Sequence, residues 1–419
     1  MFESMYTPEE VKQNEKWSKL HGSASVVANN ITNTYLPLFA ISAIQVSNYQ
    51  LGWINSIPSL ISLFILLPGA WWLNHLERKR EFTYYVILFN RLAILLIALT
   101  PFIDFMNKGL WLILAIGIMN LPLALTNLSW QSFIGDLIPE ERRAAFFSER
   151  NFVSTIVGLV STLVVGMILN FFNKSDPLPY QIFFIIAVTF GILEAVTILN
   201  HKEHPIKVNE TSQSTKVKWY ESFRHKPFII FLICAGIFQF GWQMAWPIFS
   251  IYNITIANAP ALWISIFSVA NLIGQIVSFK WWGRFSEKHG NSKALLFACI
   301  GMALTSFCTI WSTNLYYLVV TNIVSGLALS GTTLLLFNQL LHVSPENVRT
   351  SCIAYYQMLV AIVGVISPQV GVLFYEEFGL SFSMNTSGVI RILGGVLFFI
   401  SAIYLGQINR VNRKGKLFM

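Results

Sequence analysis

Apolar runs of roughly 20 to 28 residues alternate with short polar connectors along the whole chain. They fall near 22–44, 51–73, 82–103, 109–133, 146–173, 179–200, 227–252, 260–282, 293–313, 315–341, 350–376 and 386–408. A helix rises about 1.5 Å per residue, so each run can cross a hydrocarbon layer about 30 Å thick. Lipid offers no partner to a free amide, and no period-two alternation suggests a barrel, so the runs are predicted as helices. The expected fold class is an all-α membrane protein with twelve transmembrane helices in two pseudo-symmetric six-helix bundles. The pattern predicts a cytoplasmic N-terminal segment at 1–21, a first bundle at 22–200, a cytoplasmic linker at 201–226, a second bundle at 227–408 and a cytoplasmic tail at 409–419.

Composition agrees with this reading. Of 419 residues, 54% are hydrophobic and 11% charged, where soluble domains carry about 25% charged residues. The net charge of +8 could suggest nucleic acid, but its distribution is topological. With the N-terminus inside, 24 of the 28 Lys and Arg residues fall in inner segments, Arg142, Arg143 and Arg150 among them. Only Lys108 and Lys174 fall in outer loops, while Arg91 and Arg391 lie within spans. That asymmetry predicts a multi-pass protein of the cell membrane with both termini cytoplasmic. No signal peptide precedes the first span. Cys234, Cys299, Cys308 and Cys352 have no CxxC spacing and read as packing residues. The seven histidines lie at the inner face without metal or triad spacing, and no nucleotide-binding loop occurs. Neither an enzyme nor a cofactor or metal is expected.

The two halves echo each other. DLIPEERRAAFF from Asp136 answers HVSPENVRTS from His342, with Pro139 and Pro345, Glu140 and Glu346, and Arg143 and Arg349 all 206 residues apart. WWLNHLERKR from Trp71 answers WGRFSEKHGNSK from Trp282. Transporters often hold their solute between such repeats. The stretch GRFSEKHGNSK resembles a signature connector of the major facilitator superfamily, with Gly283, Glu287, Lys288, Gly290 and Lys293 in its places. Its first-half copy departs from the pattern, with Asn74 where an acid belongs and Arg78 at the basic end. DLIPEERRAAFFSERN resembles a bacterial permease subgroup of unassigned substrate. The resemblance implies a twelve-helix secondary transporter with gating contacts in these connectors: Asn74, Arg78, Asp136, Arg143, Gly283, Arg284, Glu287, Lys288, Gly290 and Arg349. It also implies that spans 1, 4, 7 and 10 line a central cavity.

Polar residues on those spans share helical faces. Span 7 carries Gln239, Trp242, Gln243 and Trp246, and span 4 carries Asn120, Asn127 and Gln131. Span 1 carries Asn29, Asn30 and Asn33, and span 10 Asn322, with Tyr355 and Gln357 on span 11. Amides in lipid need partners, so they should face the protein interior or a wet cavity. Such a lining suits an uncharged or weakly charged solute. It suits a strongly anionic one poorly, because these four spans hold no Lys or Arg. Three charges, Arg91, Glu194 and Arg391, lie deep in spans. Arg91 sits about 13 Å along span 3 and Glu194 about 9 Å along span 6, within reach of one another. We expect a structural pair there, with a proton-carrying Glu194 as the alternative. Arg391 is expected to reach the interface, Glu376 or Glu377.

These observations point to a monomeric secondary active transporter of a small organic solute, working by alternating access. Efflux and proton coupling are the modes considered. The alternatives are a permease for sugar or other neutral solutes, and a sensor or assembly factor on the same scaffold that does not transport. Small solute, lipid bilayer and protons are the expected partners, and nucleic acid is not.

Overall fold

The structure, a computed structural model, describes residues 7–74, 76, 79–204, 223, 225–345 and 348–415. Arg78 and most of the 201–226 linker lie outside the described residues, as do the side chains of Asn74 and Asp136. Among the described residues every regular element is helical. The helices are α1 (Pro8–Leu38), α2 (Asn48–Asn74), α3 (Lys79–Ala98), α4 (Lys108–Leu137), α5 (Glu140–Leu169), α6 (Pro177–Leu199), α7 (Lys226–Met244), α8 (Trp246–Ile251), α9 (Ala261–His289), α10 (Asn291–Thr309), α11 (Leu315–Val343) and α12 (Arg349–Gly415).

Nine stretches among the described residues are long and apolar enough to cross a membrane. The last of them, Ser351–Tyr404, covers the two final expected spans. Gly379, at φ 83° and ψ 174°, interrupts the helical backbone between them. α1 and α2 are long enough but are not among the nine. In α1 polar residues run along the whole helix, from Glu9 and Glu10 to Asn29, Asn30 and Asn33. A capping box starts the helix at Pro8: the Thr7 hydroxyl accepts from the Glu10 amide at 3.3 Å, and the Glu10 carboxylate accepts from the Thr7 amide at 3.0 Å. That second bond holds the Glu10 carboxyl below its ordinary pKa. Most of the segment expected as a polar lead-in at 1–21 is therefore the first four turns of a 31-residue helix.

Local geometry repeats at a near-constant offset. The side chain of Asn107 caps α4 by accepting from the amides of Gly109 and Leu110, and that of Asn314 caps α11 by accepting from Tyr316 and Tyr317. α1 ends in a π-turn at Phe39–Ala43 and α8 in one at Tyr252–Ile256. Gln45 and Asn258, each two residues past its turn, take φ of 59° and 51°. Both pairs are separated by 213 positions.

The chain divides into two compact units, Met1–Ser212 with Asn258–Ser265, and Gln213–Ala257 with Ile266–Met419. In the first, α1 packs on α5 and α6, α3 on α4 and α6, and α2 on α4. In the second, α7 packs on α12, and α10 on α11 and α12. α9 meets α11 so closely that a Cβ on Gly326 would lie 1.9 Å from the Asn271 carbonyl oxygen. The same contact plan thus occurs twice. Ile87, Phe133, Leu137, Phe146 and Ile198 form part of the first core. Phe228, Phe238, Leu295, Cys299, Cys352 and Phe398 form part of the second. Burying such side chains removes them from any aqueous channel, while leucines, isoleucines and phenylalanines such as Phe64, Phe171 and Ile185 stay on the outside, as a lipid-facing surface requires.

Candidate functional site

In the first unit a polar cluster is built on four helices. Arg91 of α3 and Glu194 of α6 are 3% and 1% exposed, and their side chains meet twice at 2.7 Å, through Nε and Nη2 to Oε2. This is the pair expected from their depths along the two spans. Arg91 Nη1 also donates to Asn29 Oδ1 at 2.8 Å, and Nη2 to the Ser25 hydroxyl at 3.4 Å. Gly191 makes this possible, because a Cβ there would stand 2.3 Å from Arg91 Cγ. On the far side of the carboxylate, His21 Nε2 lies 3.6 Å from Glu194 Oε1.

His21 links this pair to Arg150 of α5. Arg150 Nη2 approaches His21 Nδ1 at 3.5 Å. A guanidinium can only donate, so Nδ1 offers its lone pair and the neutral ring carries its proton on Nε2, facing Glu194. The imidazole stacks on Trp130 of α4 with centroids 5.7 Å apart and planes 3° apart. The Arg150 guanidinium carbon lies 4.1 Å from the same indole. Arg150, counted among the inner charges, lies within the expected span 146–173, and Pro139 opens α5 early enough to set it ten residues, about 15 Å, from the helix start.

At the start of α5, Arg142 holds Glu15 of α1 in a two-pronged pair at 2.8 and 3.1 Å, and the carboxylate raises the Arg142 pKa. His201, just past α6, is 1% exposed, and its burial pushes its pKa down to about 4.

The amides expected to line a cavity divide into two kinds. Asn30 donates to Gly158 O at 3.1 Å and the Thr162 hydroxyl at 3.0 Å, tying α1 to α5. Asn120 is buried and bonds its own helix at Ile116 O. Asn33, Asn127 and Gln131 are exposed. In the second unit Gln239 and Gln243 are 4% and 2% exposed. Gln239 donates to the Tyr356 hydroxyl at 3.0 Å, and Gln243 to Val360 O at 3.3 Å and to Gln239 at 3.4 Å. Both amides thus bind α7 to α12 rather than open onto a cavity, because α12 presents a hydroxyl and a carbonyl at their level. Trp242 is half-buried and Trp246 exposed, and their rings meet edge to face at 6.1 Å. Tyr355 packs on Phe223 at 4.6 Å, and Gln357 is exposed. Asn322 donates to Leu318 O at 2.8 Å and borders a cavity of about 140 Å³ with Phe249, Asn253, Thr305, Thr309, Thr321 and Ser325.

Arg391 does not reach the interface or an acid. It is 1% exposed and donates to Gly241 O at 3.2 Å, Met302 O at 2.6 Å and Trp242 O at 3.3 Å. The backbone of α7 stands near enough to receive it because Gly241 carries no side chain.

In the connectors, Arg284, Glu287 and Lys288 are exposed at the end of α9, and among the described residues no ion pair joins them. Gly290 follows at φ 88°, a conformation that favours glycine, and α10 starts directly after it. Gly283 has nothing within 4 Å of a built Cβ. Arg143 donates to Ile138 O at 3.0 Å, closing the turn between α4 and α5. Arg349 opens α12.

A family model described as Major Facilitator Superfamily matches residues 22–368 and 231–416. Among solved structures, the nucleoside transporter NupG superposes with a TM-score of 0.77 at 13% identity, over 93% of this chain and 99% of that one. A bacterial homologue of the human lysosomal transporter Spinster, inward-facing and unoccupied, gives 0.72 at 12% identity, over 94% and 98%. The peptide transporter POT, in complex with sulfate, gives 0.69 at 13% identity, over 96% and 95%. At such identities these likenesses concern the fold. No curated protein is similar enough to match the chain.

Proposed function

The chain belongs to the Major Facilitator Superfamily, and from that premise we propose that it is a secondary active transporter carrying a small organic solute across the cell membrane. The observation that supports this most is the repeated contact plan of the two units, with matched Asn caps and π-turns. Two equivalent bundles are the architecture by which a solute site opens to one side of a bilayer and then the other. The half-buried and exposed polar side chains Asn29, Asn33, Asn127, Gln131, Trp242 and Trp246 supply donors, acceptors and flat apolar faces for such a solute. Arg284, Glu287 and Lys288, exposed at the end of α9, are available to make and break contacts as the conformation changes. Both chain ends lie on the cytoplasmic side in this reading, and the working unit is a monomer. The direction favoured is efflux or exchange.

The neighbours in fold carry nucleosides, peptides and a metal, so the test begins with a panel of labelled small solutes. The purified protein is reconstituted into liposomes, and uptake is followed with and without an imposed pH gradient. Saturable flux of at least one solute is expected. A rate that rises with the gradient establishes proton coupling. A solute that binds tightly yet never crosses would make the protein a sensor rather than a carrier.

A further inference from the structure

We infer that the second unit holds a binding site for an uncharged polyhydroxyl group, such as the terminal glycol of a sugar or polyol, in the cavity walled by α8, α10 and α11. The assignment of that group to the transported solute rests on the transporter reading above. The binding site itself does not.

The cavity measures about 140 Å³, and every side chain that walls it belongs to this unit. A cavity of about 150 Å³ admits benzene, so the space suits a group of roughly six heavy atoms. Thr305 and Thr309 stand one turn apart on α10, and Thr321 faces them from α11. The three threonines are 3%, 5% and 7% exposed. Dry cavities are apolar, so a space with this lining is built to be occupied.

The hydrogen bonds of the wall show what the occupant must bring. The Thr305 hydroxyl donates to Met302 O at 2.7 Å, that of Thr309 to Thr305 O at 2.6 Å and that of Thr321 to Leu318 O at 2.9 Å. Each proton is spent on the threonine's own helix, and the oxygen lone pairs are left as acceptors. Asn253 Oδ1 is buried without any hydrogen-bond partner. Such a wall calls for a guest that donates, and a carboxylate can only accept. The choice lies between a cation and hydroxyl groups, and Arg391 decides it. Its Nη1 donates at 2.6 Å to Met302 O, the same oxygen that receives the Thr305 proton, and its guanidinium carbon lies 5.9 Å from the centre of the Phe249 ring. Among the described residues no acid pairs with Arg391. Its charge therefore stands uncompensated beside the cavity and opposes a second positive charge there. A neutral hydroxyl donates to the threonine oxygens and to Asn253 Oδ1. It also accepts from the second Nδ2 proton of Asn322, whose first goes to Leu318 O at 2.8 Å. The Phe249 face takes the carbon chain.

The repeat shows that the fold does not require this polarity. Counted from the matched caps Asn107 and Asn314, the first-unit counterparts of Thr321, Asn322 and Ser325 are Leu114, Ala115 and Ile118. Within the matched π-turns Asn253 answers Ala40. All four counterparts are apolar. Asn322 was legible as a cavity residue, whereas Thr305 and Thr309 come from the ninth span, outside the four expected to line one.

The test is a saturation-transfer NMR titration of the purified full chain in detergent with glycerol, its cationic match serinol and its anionic match glycerate. Glycerol should bind about fivefold more tightly than either charged compound. Thr309→Val keeps the shape of the wall and removes one oxygen, and should weaken glycerol about fivefold. Asn253→Leu fills the space and should abolish binding. Should Asn253→Leu fail to fold, Thr309→Val and Thr321→Val decide the matter alone. Absence of transfer to glycerol, or transfer that the variants leave unchanged, means that the cavity holds water alone and overturns the site. Serinol or glycerate binding more tightly than glycerol overturns the neutral ligand. Solute flux in liposomes without any glycerol binding would sink the site and leave the transporter standing. Glycerol binding without flux of any solute would do the reverse.

Discussion

Replacing Glu194 by Gln keeps the side chain's size and one acceptor oxygen but removes the charge opposite Arg91. Arg91 is 3% exposed and held by two 2.7 Å contacts to that carboxylate, with Asn29 and Ser25 as its other acceptors. Both remaining groups are neutral, so the guanidinium would sit buried without a counter-charge. Removing one partner from a buried pair costs about 3–5 kcal/mol. For a body of about 200 residues each kcal/mol shifts the melting temperature by roughly 2–4 °C, so a fall on the order of 10 °C is expected. The assay is thermal unfolding of the detergent-solubilised protein followed by tryptophan fluorescence. Adding Arg91→Met to Glu194→Gln removes the orphaned charge and should recover more than half of the loss, a coupling that the double-mutant cycle reads directly. A single variant that melts with the native protein would refute the structural role. If that variant also lost transport driven by a pH gradient, Glu194 would be a proton carrier instead.

Three further outcomes follow from the packing. The depressed pKa of His201, about 4, means that below pH 6.5 the unfolded chain takes up a proton the folded one does not. Stability therefore falls as the pH drops from 6.5 towards 4, by up to about 3 kcal/mol, and His201→Phe should flatten the melting temperature across that window. Gly290→Ala forces a side chain into φ 88° and should cost about 1 kcal/mol. Gly283→Ala, mid-helix with open space around it, should be neutral or stabilising by up to about 1 kcal/mol, and equal melting shifts for the two would contradict this. Gly326→Ala, with a carbonyl oxygen 1.9 Å from its Cβ, must push α9 and α11 apart and should destabilise by about 1–3 kcal/mol, which the same melting assay reads.

Much of the architecture was legible because lipid imposes a simple rule on composition. Helix lengths, the repeat and the Arg91–Glu194 contact came from counting residues and converting them to ångströms. The rest depended on facts that hydropathy does not carry. Whether Gln239 and Gln243 face a cavity or a neighbouring helix depends on Tyr356 and Val360, which lie 117 residues downstream of each. Arg150 was counted among the inner positive charges although it falls inside the expected span 146–173, and α5, opened by Pro139, sets it ten residues from the helix start. Arg391 was expected to reach the interface, Glu376 or Glu377. Three carbonyls from other helices hold it instead, and free carbonyl valences are invisible in a sequence.

The two π-turns bend equivalent spans in the same way. Phe39–Ala43 and Tyr252–Ile256 match in an aromatic, an isoleucine and a hydroxyl side chain at equivalent positions, and each is followed two positions later by an amide residue in a left-handed conformation, at a cost of roughly 1 kcal/mol apiece. A twist that costs energy in both halves must be returned by what it does there: it turns the chain out of the first span of each half at the same point. The two bends therefore give both halves the same exit from that span, so a substitution that abolishes one should unbalance the pair.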